Sequence, residues 1–299
     1  MRTAVADPPL TEAIARAINR LAAAPIGAYH AGGEAASEPT AWGALALARA
    51  GCSDSAAAAA DWLAERQGGD GSVGVTASQA GPGWPTALAM LAWRGVDPTR
   101  YATCYASGVA WALAQRARTT RHNPRLGHDS SLVGWSWAPA THTWLEPTAF
   151  FFAALRESGP ESQARRDDAE RILIDRLLPS GGANYGNTVV LGQELLPHTQ
   201  SSGVAAWALA GERVTDERLA KTLTYLQGAV QKPTGLASLA WAARGLAGHR
   251  AAGEEVALRV ASALSKAEAA AESHHKLALL TLAAQEIAYQ PIEPIVSHR

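Results

Sequence analysis

The chain has 299 residues, 47% of them hydrophobic, and a formal net charge of −1. That apolar content argues against disorder and is ample for a buried core, while the near-neutral balance, with no run of Lys or Arg, gives no field to hold nucleic acid or an anionic bilayer. No stretch approaches the roughly 20 apolar residues of a membrane span, and the first nine residues hold no apolar signal core. The chain therefore reads as cytoplasmic, with at most peripheral membrane contact.

In chain order, an amphipathic helix is expected over about 10–24, then a turn at Gly27-Ala28-Tyr29. A short apolar helix follows, opening at Pro39-Thr40-Ala41 and ending near Gly51. The pair then recurs. Amphipathic segments over about 54–66, 98–117, 161–178, 214–231 and 250–270 alternate with apolar helices. These open at Pro85-Thr86-Ala87, Pro147-Thr148-Ala149, a degenerate Ser201-Ser202-Gly203, and Pro233-Thr234-Gly235, with a last one near 273–287. Proline suits a first helical position, where its missing N–H has no partner to lose. Glycines at 51, 95, 159, 211 and 248 stand where a left-handed cap would close each apolar helix.

Helices that are apolar nearly all round must be enclosed on every side; the wetter segments can cover them. This predicts an all-α domain spanning 1–299 (core about 10–287): an (α/α)6 toroid of about six hairpins in two concentric rings. An open superhelix would need a solvated inner face, and the apolar helices carry too few charges for one. Strand signals are almost absent. Glycine-containing turns, Gly71-Ser72-Val73-Gly74, Gly134-Trp135-Ser136-Trp137 and Gly182-Ala183-Asn184-Tyr185-Gly186, lead into the apolar helices, and a neighbouring ring can plug the gap between hairpins.

Leu63-Ala64-Glu65-Arg66-Gln67 followed by Asp70-Gly71-Ser72-Val73 resembles the Gln-Trp repeat of squalene-hopene and oxidosqualene cyclases, with Val73 where tryptophan is usual. Gly134-Trp135-Ser136-Trp137 leading to Trp144-Leu145-Glu146-Pro147-Thr148-Ala149 resembles repeats of the prenyltransferase/squalene oxidase family. The resemblance covers about residues 10–287 and implies one terpenoid-cyclase-like barrel where triterpene cyclases join two.

The Asp-x-Asp-Asp-Thr-Ala acid motif of those cyclases is missing. Aligned on Thr-Ala, Glu146 falls at the position of the acid, with Trp144 and Pro147 in place of the two supporting aspartates. A lone carboxyl is a weaker acid toward an alkene than one backed by such neighbours. Glu146 also suits the first turn of a helix, where a carboxylate is favoured, and Glu38 stands in the same place of another copy.

Ten tryptophans are a heavy load. Trp42, Trp84, Trp144 and Trp207 lie on or just before the apolar helices, and Trp135 and Trp137 lie in the longest loop; with Phe150, Tyr185 and His198 they are the expected binding residues. Indoles around a cavity stabilise cations by about 0.5–2 kcal/mol each and accept a greasy polyene; the bland reading is that the rings wedge hairpins together, and for Trp62, Trp93, Trp111 and Trp241 it is preferred.

Loop histidines 122, 128 and 142 read as solvated or turn-forming, and the His274-His275 pair as capping or surface residues. Arg165-Arg166-Asp167-Asp168 reads as a solvated charged helix. Cys52 and Cys104 read as small buried hydrophobes; Ala102 stands where a prenyltransferase zinc site would place its Asp. No metal or cofactor is expected. The leading expectation is a terpene cyclase-like protein binding an isoprenoid, with Glu146 as its acid. A non-catalytic isoprenoid- or protein-binding barrel is the alternative, and a prenyltransferase-like subunit a third.

Overall fold

The computed structural model describes residues 8–269 and 273–289. Among them are twelve α-helices: α1 (Pro8–Ala23), α2 (Ser37–Arg49), α3 (Ser53–Ala64), α4 (Thr86–Val96), α5 (Ala102–Ala114), α6 (Leu145–Ala154), α7 (Gln163–Asp175), α8 (Thr199–Leu209), α9 (Glu217–Val230), α10 (Leu236–Gly248), α11 (Glu254–Ala269) and α12 (His274–Ala288). The protein is mostly helical. One two-residue hairpin, β1 (Val189–Val190) with β2 (Gln193–Glu194), sits in the loop before α8.

The even-numbered helices are the apolar ones, and every residue of α6 is buried. Each packs on the next, α2 on α4, then α6, α8, α10 and α12, and α12 packs back on α2. The odd-numbered helices pack on their neighbours in sequence: α3 on α2 and α4, α5 on α4, α7 on α6, α9 on α8 and α10, α11 on α12. Helix α1 packs on α11 and α12, bringing the two ends of the described chain together.

The helix starts differ from expectation in detail. Pro39 and Pro147 stand third in their helices, Pro85 is the residue before α4, and Pro233 precedes α10 by three residues. A third position costs no more than a first, because none of the first four N–H groups has an intrahelical partner. Of the five glycines expected as caps, only Gly51 and Gly211 are left-handed, at φ 76° and 86°. Gly95 and Gly248 lie inside helices, where a Cβ would meet Leu45 Cδ2 at 2.5 Å and Ala210 Cβ at 2.6 Å. They permit close helix packing.

The repeated threonine has a specific task. In three copies its hydroxyl accepts the backbone N–H of a residue thirteen positions upstream in the preceding turn: Gly27 to Thr40 at 3.0 Å, Val73 to Thr86 at 2.8 Å and Trp135 to Thr148 at 3.1 Å. In the serine copy, Ala183 donates to Ser202 Oγ at 2.8 Å. These N–H groups are buried, and an unpaired one would cost about 1–3 kcal/mol. Gln67 is a second staple, donating to the carbonyls of Gly71 and Cys104 at 2.9 and 2.8 Å and so tying the turn after α3 to α5.

Candidate functional site

The residue before each repeated Pro-Thr, or before its serine equivalent, is Glu38, Trp84, Glu146, Gln200 or Lys232. Two of these are carboxylates near the N-terminal ends of α2 and α6. Glu146 is 6% exposed and accepts a 2.8 Å hydrogen bond from Ser201 Oγ of α8. Burial, and secondly the negative charge of Glu38, raise its pKa against the opposing hydrogen bonds of Ser201 and Gln200.

Glu38 is held differently. Tyr29 donates to its Oε2 at 2.7 Å, Trp42 Nε1 donates to Oε1 at 3.4 Å, and His275 Nε2 lies 3.2 Å from Oε1. Burial works to raise its pKa, but the charge and hydrogen bond of His275, with the bonds from Tyr29 and Trp42, outweigh it and lower it. One carboxyl is thus pushed toward the neutral acid and its neighbour toward the anion. Desolvation, then the charge and hydrogen bond of that anion, raise the Tyr29 phenol far above its ordinary value.

The histidine pair is not a surface feature. Ser273 is the N-cap of α12, accepting from Lys276 N at 3.1 Å. His274 fills a cradle left by two glycines: a Cβ on Gly27 would stand 2.3 Å from its ring, and one on Gly43 2.6 Å from its Nε2. Burial first, then His275 and Arg20, lower its pKa to about 4, so the imidazole is neutral at pH 7.

Three expected binding residues come together with a fourth aromatic. Trp42, Phe150, Trp207 and Trp241 form a cluster with ring centroids 5.3–6.5 Å apart. Trp84 stacks edge-on against Trp137 at 4.8 Å, and Trp137 reaches Phe150 at 6.3 Å. The others lie elsewhere. Trp135 is fully buried as a wedge, donating from Nε1 to Ala112 O at 3.0 Å, stacked on Phe151 at 5.1 Å and covered by Arg165. Trp144 stacks on His142, and exposed Tyr185 on His198, each at 4.5 Å. These last two pairs are joined through Leu145 N, which donates to Tyr185 O at 3.0 Å. Tyr185, His198 and Gln200 line an open pocket of about 300 Å³.

The aromatic cluster is not empty. Arg244 is 1% exposed, and its guanidinium carbon lies 4.8, 4.9 and 4.6 Å from the ring centroids of Trp42, Trp207 and Trp241. Glu286 balances its charge through two 3.0 Å hydrogen bonds, and Arg49 joins the same carboxylate at 2.7 Å. Sequence reasoning missed Arg244 and Glu286. A signal existed: Arg244 is the one charged residue of α10, and Glu286 the one carboxylate of α12. A charge inside an all-apolar helix demands a partner.

Among the described residues no three His, Cys, Asp or Glu side chains gather as a metal site, and no helix is long and apolar enough to cross a membrane. No protein-family model matches the chain. No curated protein matches it in sequence either.

Proposed function

We propose that this chain is a terpenoid-cyclase-like (α/α)6 toroid that binds an isoprenoid at the N-terminal ends of its inner helices without cyclising it. The toroid reading is supported by the cycle of contacts from α2 through α12 and back to α2, with an amphipathic helix beside each apolar one.

The binding reading is carried by Arg244. In a cyclase the central indoles stabilise a carbocation formed on the substrate; here their faces already meet a permanent guanidinium under 5 Å away. A second cation about 5 Å from it would be repelled by about 3 kcal/mol at an effective dielectric constant near 20. Apart from that cluster lies the open pocket of Tyr185, His198 and Gln200, with Gln200 reaching Glu146, whose carboxyl is pushed toward the neutral acid. That combination suits an apolar ligand bearing one oxygen, which a neutral carboxylic acid can meet with a hydrogen bond.

The test is incubation of the purified chain with geranylgeraniol and with squalene, without metal, followed by tryptophan fluorescence for binding and gas chromatography for products. Saturable binding of geranylgeraniol without a new product is expected. Squalene turnover abolished by Glu146→Gln would overturn it and establish the acid-catalysed reading. That second reading is favoured by the opposed Glu146 and Glu38, since carboxyls pushed apart in pKa are the pattern of an acid beside its counter-charge.

A further inference from the structure

The C-terminal turns of α2, α8, α10 and α12 border another pocket, of about 570 Å³, with Arg156 from the residues after α6 at its edge. Its lining is strongly one-signed: Arg49, Arg156, Arg244 and Arg250 face it, with Glu286 as the one lining carboxylate. Arg156 also reaches Glu212, at 3.3 Å. Four guanidinium groups against these two carboxylates leave an excess of two positive charges.

The helix dipole favours a cation at any helix C-terminus, and Arg156 caps α8 by donating to Ala208 O and Ala210 O. That reason does not extend to Arg250, which stands beyond α10 on a left-handed backbone at φ 56° and makes no ion pair among the described residues. Nor does it account for one group on a residue lining the pocket. Nη1 of Arg244 is buried without a hydrogen-bond partner among the described residues, on a side chain 1% exposed. A buried donor left unmade is costly, and an oxygen ligand satisfies it. Trp207 supplies a half-buried apolar wall, and Tyr289, 70% exposed, an outer lip.

We propose that this pocket binds an oxyanion, carboxylate or phosphate, carried on an apolar body. The oxyanion is held by Arg49, Arg250 and Nη1 of Arg244, while the apolar body lies on Trp207. A guanidinium fork matches either oxyanion in two parallel hydrogen bonds. This site is separate from the carboxylates at the helix N-termini and stands whether or not an isoprenoid binds there.

The test uses the full chain titrated with octyl phosphate, octanoate, octanol and inorganic phosphate, read by calorimetry and by the tryptophan fluorescence. At least one of octyl phosphate and octanoate is expected to bind about tenfold or more tighter than octanol, as charge-assisted hydrogen bonds require, and to weaken as salt rises. Which of the two binds tighter names the oxyanion. Arg250→Glu, an exposed change that leaves the buried Arg244–Glu286 pair in place, is expected to cost about tenfold or more in affinity. Lys221→Glu, the same charge change on α9, is expected to cost little. Octanol binding as tightly as both anions, no binding by either anion, unchanged affinity in Arg250→Glu, or an equal loss in Lys221→Glu overturns the site.

Discussion

Arg244 and Glu286 meet side by side between α10 and α12, Nε on Oε2 and Nη2 on Oε1, both at 3.0 Å. Three indoles lie against the guanidinium, which is 1% exposed, so that charge has no bulk water to fall back on. Removing one member of such a pair leaves the other buried and unbalanced, which costs about 3–5 kcal/mol. Glu286→Gln is therefore expected to lower the urea midpoint sharply, whereas Arg244→Met with Glu286→Leu recovers most of the loss. A single variant as stable as the parent would show that the pair carries no such weight.

Gly43 should resist a change that ordinarily helps a helix. Alanine in place of a mid-helix glycine gains about 0.5–1 kcal/mol where there is room, but here the new Cβ would stand 2.6 Å from His274 Nε2. Overpacking of this kind costs about 1–3 kcal/mol. Gly43→Ala is expected to destabilise, and the double variant with His274→Ala to be less harmful than the sum of the singles. Chemical denaturation of the four proteins in the cycle measures the coupling.

His274 also sets a pH dependence. Its pKa in the fold, about 4, lies below its ordinary value of 6.5, so on acidification the unfolded chain takes up the proton first. The stability it protects is complete above about pH 6.5 and is lost as pH falls toward 4, by up to about 3 kcal/mol. Urea midpoints from pH 8 to 4 should fall less steeply for His274→Asn than for the parent; parallel curves would contradict this.

Glu146 works in the opposite sense. A carboxyl whose pKa is raised in the fold contributes stability that is present below its ordinary value near 4.5 and is lost as pH climbs through the raised one. Glu146→Gln, which cannot ionise, should gain stability relative to the parent as pH rises from 4.5 to 8. A constant difference across that range would mean that the carboxyl is not held neutral.

The threonine staples give a fifth expectation. Thr86→Val keeps the shape but leaves the buried Val73 N–H unpaired, a loss of about 1–3 kcal/mol, while Thr224→Val on the exposed side of α9 is expected to change little. Hydrogen exchange at Val73 would rise with the first variant.

The apolar helices and the wetter ones between them were legible because one-dimensional pattern suffices: a helix must bury its apolar face, so the alternation along the chain reports which helices are enclosed. The motif's threonine was visible too, although its partner, a loop N–H thirteen residues earlier, was not. Sequence spacing also put Glu146 forward and left Glu38 as its parallel, without saying that the two share one neighbourhood or that Ser201 and His275 tune them apart. What only the tertiary structure decided is which side chain stands at the centre of the aromatics. Along the chain Arg244 stood out only as the one charge of an apolar helix; its role follows from α2, α8, α10 and α12 converging from distant parts of the sequence, since the energy of a buried charge depends on what surrounds it in space.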